Sequence, residues 1–338
     1  MRFGAVLAGV SVLAAAFGAS CSRRSVPASR TIVVGAYTVP KEVYEQRIIP
    51  AFKRHWKEKT GQEIEVQASY VASGAQARAI AAGFEADVAA LSLEGDVELV
   101  REEGLIAHDW KANAWGGMVT CSIVVIGARS GNPKGIRDWR DLTRPDVEVV
   151  TPDPSTSGGA MWNVNAVWGA GLLGPDGGEG EARRLLAGMR ARVKALDPSG
   201  RESMTTFERG VGDAVITYEN ELLLRKKQGR EYHVVVPVYT IRIDNPVAIV
   251  DRNVERHGNR ELVEGFVAFL RGEEAQRAFV EYGFRPVLES IEAETRDRFP
   301  HPERLFTIDD LGGWKAVREK LYSPDGIWAQ VNREAAAR

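Results

Sequence analysis

Cysteine is nearly absent from this chain: Cys21 and Cys121 are the only two among 338 residues. A scaffold stapled by several disulfides is therefore excluded. Histidine is as sparse, with five residues at 55, 108, 233, 257 and 301 and no metal-ligand spacing between them. The mature sequence also lacks G-x-S-x-G, H-E-x-x-H and G-x-x-x-x-G-K-[ST], so no familiar hydrolase, zinc-protease or nucleotide loop is present. GVGDAV has two glycines but precedes a strand pattern, the wrong side for a dinucleotide fingerprint. Neither an enzyme nor a bound cofactor or metal is expected. Net charge is missing too: 44 Lys plus Arg stand against 46 Asp plus Glu, which leaves no basic field to hold nucleic acid. No repeat of domain-building period and no low-complexity tract stands out.

With 44% hydrophobic and 27% charged residues, the chain is long enough for a well-buried core and two domains. Its most apolar stretch, FGAVLAGVSVLAAAFGAS after Arg2, is free of acid and ends at Cys21, where the polar segment CSRRSVPASR begins. Roughly 15 apolar residues are short for a membrane span of ~20 and have the layout of an export signal. The stretch resembles a bacterial lipoprotein signal, with small residues Gly18, Ala19 and Ser20 before the cysteine. Gly18 stands where that motif usually has an aliphatic residue. Residues 1–20 are expected to be the signal, Cys21 the lipidated residue and 21–30 a tether; cleavage near Ser20 without lipidation is the alternative. In either case Cys121, inside MVTCSIVVIG, has no disulfide partner and is expected to behave as a buried small hydrophobe.

Beyond the tether, short β-branched runs alternate with helical patterns, which predicts an α/β fold with a largely parallel sheet. TIVVGAY (31–37), EIEVQASY (63–70), DVAALSL, VEVVTPD and DAVITY read as strands. KEVYEQRIIPAFKRHWKEKTG reads as one helix, with Val43, Ile48, Phe52 and Trp56 at near-helical spacing, and AQARAIAAG as a short helix ended by Gly83. A small polar residue recurs where strands stop and helices start: Thr38 before VPKEVYE, Ser73 in YVASGAQARAI, Ser157 in STSGGAMWN, and Ser199 with Gly200 in DPSGRES. Such residues cap helices whose first N–H groups lack partners. The helix N-terminus has the equivalent of ~+0.5 charge, and glycine lets a ligand reach its amides. In open α/β sheets ligands bind beyond the carboxyl ends of strands. Several such junctions together predict helix N-termini converging on a small anion.

The stretches AFKRHWKEKTG (51–61), SGAQARAI with EADVAALSLEGDV (73–97), GNPKGIRDWRDLTRPDVEVVTPDPSTSGGAMWN (131–163), TTFERGVGDAVITYENE (205–221), RPV (285–287) and LFTIDDLGGW (305–314) resemble the periplasmic sulfate-binding proteins of ABC importers. The resemblance covers nearly the whole mature chain. It implies the two-lobed type II periplasmic binding fold, with α/β lobes joined by crossover hinge strands and closing on a dehydrated oxyanion held mainly by main-chain amides. It also implies a monomer, an extracytoplasmic location and an ABC permease as partner.

Carried over by position, the binding serine and glycines fall on Ser157, Gly158 and Gly159, the first-lobe serine on Ser73, the main-chain donor after the aspartate turn on Gly200, the N-terminal donor on Thr38 and the indole donor on Tyr218. Thr38 stands where an aspartate is typical, Tyr218 where a tryptophan is usual, and Met161 where an arginine commonly follows SGGA. A phenol both donates and accepts, whereas an indole only donates. The expected ligand is sulfate or a related tetrahedral oxyanion. Alternatives are thiosulfate, an organosulfonate, molybdate, ferric iron held by tyrosines such as Tyr37, Tyr44 and Tyr218, or a serine hydrolase with Ser157 as nucleophile.

The expected lobes are 31–119 with 246–305, and 120–245, with 306–338 as a helical tail packing back. Arg201, beside Gly200, reads as a source of positive field or a solvated turn residue. Asp213, Glu219 and Glu221 read as caps and surface charges, and Trp162 and Trp168 as core.

Overall fold

The computed structural model describes residues 30–337; the signal segment, Cys21 and residues 22–29 lie outside them. Eleven strands are present among the described residues: β1 Thr31–Tyr37, β2 Glu65–Val71, β3 Val88–Ala90, β4 Met118–Arg129, β5 Val149–Pro152, β6 Val193–Asp197, β7 Ala214–Tyr218, β8 Tyr232–Val235, β9 Tyr239–Ile249, β10 Arg285–Pro286 and β11 Arg304–Phe306. In one half, β1 lies parallel between β2 and β3, and β3 pairs antiparallel with the end of β9 at Val88↔Ile249. In the other half, β5 lies parallel between β6 and β7, and β7 pairs antiparallel with β4 from Val124↔Tyr218 to Ala128↔Ala214.

Two strands join the halves. β4 and β9 pair with each other over Thr120↔Asn245 to Ile123↔Arg242, and each then continues into a different lobe. That antiparallel pair is the hinge. Alternation along β4 serves two cores at once. Ile123 and Val125 pack with Val150, Met204 and Phe207 on one face, while Val124 and Ile126 face the main core with Trp139 and Trp162. A strand covered on both faces reads as a continuous apolar run for this reason, here in β4 although its pairings with β7 and β9 are antiparallel.

The segment read as one helix over 41–61 is broken. Helix Lys41–Val43 passes through a π turn, Tyr44–Ile48, into helix Ile49–Thr60. Pro50 has no N–H and its ring crowds the carbonyl four residues back, so the turn before it widens. Among the described residues, no helix is long and apolar enough to cross a membrane. After β11 the chain adds helices Gly313–Val317 and Ile327–Ala336, the latter against helix Glu179–Arg190. Trp314 meets Trp162 edge to face at 4.8 Å, and Arg318 Nη2 crosses to donate to Gly95 O at 3.0 Å.

Cys121 corrects its expectation. It is only half buried, on the hinge, and its thiol donates to Asp244 Oδ1 at 3.3 Å, so it faces a polar partner across β9.

Candidate functional site

Between the lobes lies a small cavity of about 20 Å3, lined by Tyr37, Thr38, Val39, Ala72, Ser73, Ser92, Pro152, Ser157, Gly159, Asn163, Gly200, Ile216, Thr217 and Tyr218. Every wall segment follows the carboxyl end of a strand: β1, β2, β3, β5, β6 and β7. Of the residues singled out in the sequence, Thr38, Ser73, Ser157, Gly159, Gly200 and Tyr218 meet here, whereas Gly158 does not line the cavity. No charged side chain and no histidine lines it.

Three helices begin at the wall: Ser73–Ala81, Gly158–Leu173 and Gly200–Glu208. Their first-turn amides have no partner within the helix. Ser157 caps the second helix, its Oγ accepting from Ala160 N at 3.3 Å. The Ser157 hydroxyl donates to no protein group among the described residues, so its proton is free for a ligand. Ser199 caps the third, accepting from Glu202 N at 3.2 Å, and a Cβ on Gly200 would find only Val39 at 3.9 Å.

Gly158 and Gly74 face each other's lobes. A Cβ on Gly158 would sit 2.7 Å from Ser92 Oγ and 3.0 Å from Asp96 Oδ2; one on Gly74 would sit 3.1 Å from Thr156 O. The two helix starts approach across the cleft, so a side chain at Gly158 would force a shift and one at Gly74 would fit only tightly. Gly158 thus lies at the contact between the lobes, next to the wall instead of part of it.

Two capping expectations fail. Ser73 is the first residue of its helix, and Ala72 occupies the cap position without a side-chain bond. The Ser73 hydroxyl donates instead to Asp96 Oδ2 at 2.6 Å and accepts from Ser92 N at 2.9 Å, so it is fully engaged. Thr38 is followed by Pro40 at the cap position of helix Lys41–Val43, again without a side-chain cap. A hydroxyl caps only when its backbone stands one residue before the first turn, and neither does.

Ser92 escaped the sequence reading, although it ends β3 as the other polar residues end their strands. It is a junction between lobes. Its carbonyl accepts from Trp162 Nε1 at 2.8 Å and Asn245 Nδ2 at 3.1 Å, and its hydroxyl lies 2.9 Å from the Tyr218 hydroxyl. Tyr218 is buried, and burial drives its phenol well above its ordinary pKa, so it stays protonated. The Tyr37 hydroxyl and Asn163 Oδ1 also reach the cavity region, buried and without a hydrogen-bond partner. Tyr44, grouped with them as an iron ligand, packs instead against Phe266 and Phe279.

Two charged residues depart from expectation, and for a third, Arg201, one of its two readings falls. Glu219 and Glu221 are fully buried, not surface charges. Arg285 grips Glu219 bidentately at 2.8 and 3.0 Å, and Arg225 Nη1 donates to Glu221 at 2.7 Å. They face inward because the helix after β7 starts against the sheet, and each is matched by a guanidinium. Arg201 is no solvated turn residue: it crosses the cleft to Glu42 Oε2 at 2.7 Å and Val39 O at 3.1 Å, and also reaches Glu221 Oε1 at 3.2 Å.

The model of the bacterial extracellular solute-binding protein family matches residues 32–285. A sulfate-binding protein of Synechococcus elongatus is 40% identical over 314 residues, covering 92% of this chain and 89% of the relative. A thiosulfate-binding protein of Pseudomonas aeruginosa is 31% identical over 309 residues, covering 90% and 92%. The solved sulfate-binding protein SubI of Mycobacterium tuberculosis superposes with a TM-score of 0.80 at 36% identity, over 87% of this chain and 99% of that one. The chain therefore belongs to the bacterial extracellular solute-binding proteins, with sulfate-binding and thiosulfate-binding proteins among its relatives.

Proposed function

We propose that this protein is the extracytoplasmic receptor of an ABC importer and captures sulfate between its lobes. The observation that carries the reading is a small cavity between the lobes where three helix N-termini and several hydroxyls converge with no charged side chain in the wall. Three termini of about +0.5 each place roughly +1.5 around a dianion. Charge-assisted hydrogen bonds contribute ~1.5–3 kcal/mol apiece, and micromolar affinity needs only ~8 kcal/mol net. Dipoles suffice.

The size of the cavity supports a small inorganic ion over an organosulfonate: about 20 Å3, where one water needs ~10–15 Å3. In this reading the Thr38, Ser73, Gly159 and Gly200 amides and the Ser157 and Tyr218 hydroxyls face the oxyanion, and Gly158 lets the lobes close on it. Residues 31–119 with 246–305 move against 120–245 about the β4–β9 pair, and 306–338 rides on the lobes. The receptor works as a monomer, delivers to a membrane permease and is held at the membrane by a lipid on Cys21.

Calorimetric titration of the mature protein with sulfate, thiosulfate, molybdate and phosphate at two pH values tests the reading. Sulfate is expected to give saturable heat with one site. Heat from phosphate alone overturns the proposal; tighter thiosulfate binding moves it to that ligand.

A further inference from the structure

The Ser92 and Tyr218 hydroxyls come from opposite lobes, at the ends of β3 and β7, and meet at 2.9 Å. Both residues are buried and both line the cavity. Each hydroxyl has one proton, and among the described residues neither side-chain oxygen has any other partner. Two protons share one mutual bond, so one proton is left over, and it faces the cavity. Either oxygen can be the donor of the mutual bond; an acceptor-only anion seated against the phenol takes the arrangement in which Ser92 donates to Tyr218 and Tyr218 donates onward. Chained hydrogen bonds of this kind strengthen one another.

Ser92 is unusually well fixed for that task. Its N–H is bound to Ser73 Oγ and its carbonyl accepts from Trp162 and Asn245, so its hydroxyl is presented from a rigid backbone. A lone phenol at the wall has lone pairs as well as a proton, and can turn either toward an anion. We propose that Ser92 is a positioning residue for oxyanion specificity: by occupying the Tyr218 lone pair from across the cleft, it makes the phenol a dedicated donor to a fully ionised tetrahedral oxyanion. Because the bond crosses between lobes, this setting is made as the cleft closes. The inference rests on the proposed anion-binding function of the cavity.

A cycle of Ser92→Ala, Tyr218→Phe and the double variant, each titrated with sulfate, tests it. Ser92→Ala is expected to weaken sulfate by about threefold to tenfold, the size of one hydrogen bond. In the Tyr218→Phe background the same change is expected to do nothing further. The near-ultraviolet difference band that sulfate induces, assigned to Tyr218 by its loss in Tyr218→Phe, is expected to shrink in Ser92→Ala. Equal weakening by Ser92→Ala in both backgrounds, with that band unchanged, overturns the inference and leaves Ser92 a packing residue. Unchanged affinity in Ser92→Ala while wild type binds sulfate overturns the inference alone. Silence of the wild type toward all four anions overturns the proposed function and this inference with it.

Discussion

One residue of chain separates two opposite treatments of charge. Tyr218 lines a cavity with no charged wall, and Glu219, its neighbour, is a fully buried carboxylate locked to Arg285. Burial pushes the Glu219 carboxyl upward and the Arg285 bonds pull it back. A permanent ion pair suits a place where nothing leaves, because each charge keeps its partner. A binding cavity is different: its ligand brings the charge and takes it away again. A wall cation would be stranded in a closed, empty cleft, whereas amide dipoles at helix starts are neutral in sum and lose far less when the anion departs. On the proposed function, the charge missing from the cavity is that of the ligand.

The comparison breaks most sharply at Gly158. Gly158→Asp puts a Cβ 2.7 Å from Ser92 Oγ and a carboxylate beside Asp96, obstructing closure and repelling the anion. Sulfate affinity is expected to fall by more than about a thousandfold, read by calorimetry, while thermal unfolding shifts little because the open cleft relieves the clash. Unchanged affinity would place the ligand elsewhere. Arg285→Ala is the reciprocal test. It leaves Glu219 buried without its partner, which costs ~3–5 kcal/mol of stability, read by urea unfolding. Sulfate affinity of the folded fraction is expected to stay near that of the wild type. Comparable losses of affinity in both variants would erase the distinction between the two regions.

How much of this was legible in the sequence depends on the range of the interaction. Local devices were readable: β-branched runs for β1, β5 and β7, and small polar residues at strand ends for most of the cavity wall. β9, YTIRIDNPVAI, was not read as one strand, since Arg242, Asp244 and Pro246 interrupt its apolar pattern where it crosses between lobes. β10 and β11, of two and three residues, are too short for periodicity. Ser92 was missed because Glu94 separates LSL from Gly95, so no serine–glycine signature marks it. The partners that decide its role, Ser73, Tyr218, Trp162 and Asn245, lie 19 to 153 residues away. The same holds for Glu219, whose partner Arg285 is 66 residues away; Glu221 has its partner Arg225 only four residues on, and what the sequence hides there is burial of that helix face against the sheet.

The smallest expected effect concerns Asp96, a carboxylate just behind the cavity wall. Asp96 is buried, accepts from Ser73 Oγ at 2.6 Å, and has Arg318 and Arg78 as its nearby cations. Burial pushes its carboxyl up to about 6, with the Ser73 bond and the two arginines opposing. Its folded pKa lies above the ordinary value, so the protonated form is favoured in the fold and this stabilisation is lost as pH rises toward and through 6. The same titration acts on the ligand: above pH 6 an ionised Asp96 stands near a dianion. Sulfate remains a dianion throughout, so its affinity is expected to rise by about threefold to tenfold as pH falls from 7.5 to 5, on the order of 1 kcal/mol of relieved repulsion. Asp96→Asn should flatten that profile while keeping an acceptor for Ser73. A profile equally steep in the variant would assign the titration to another group and leave the cavity wall electrically silent on both sides.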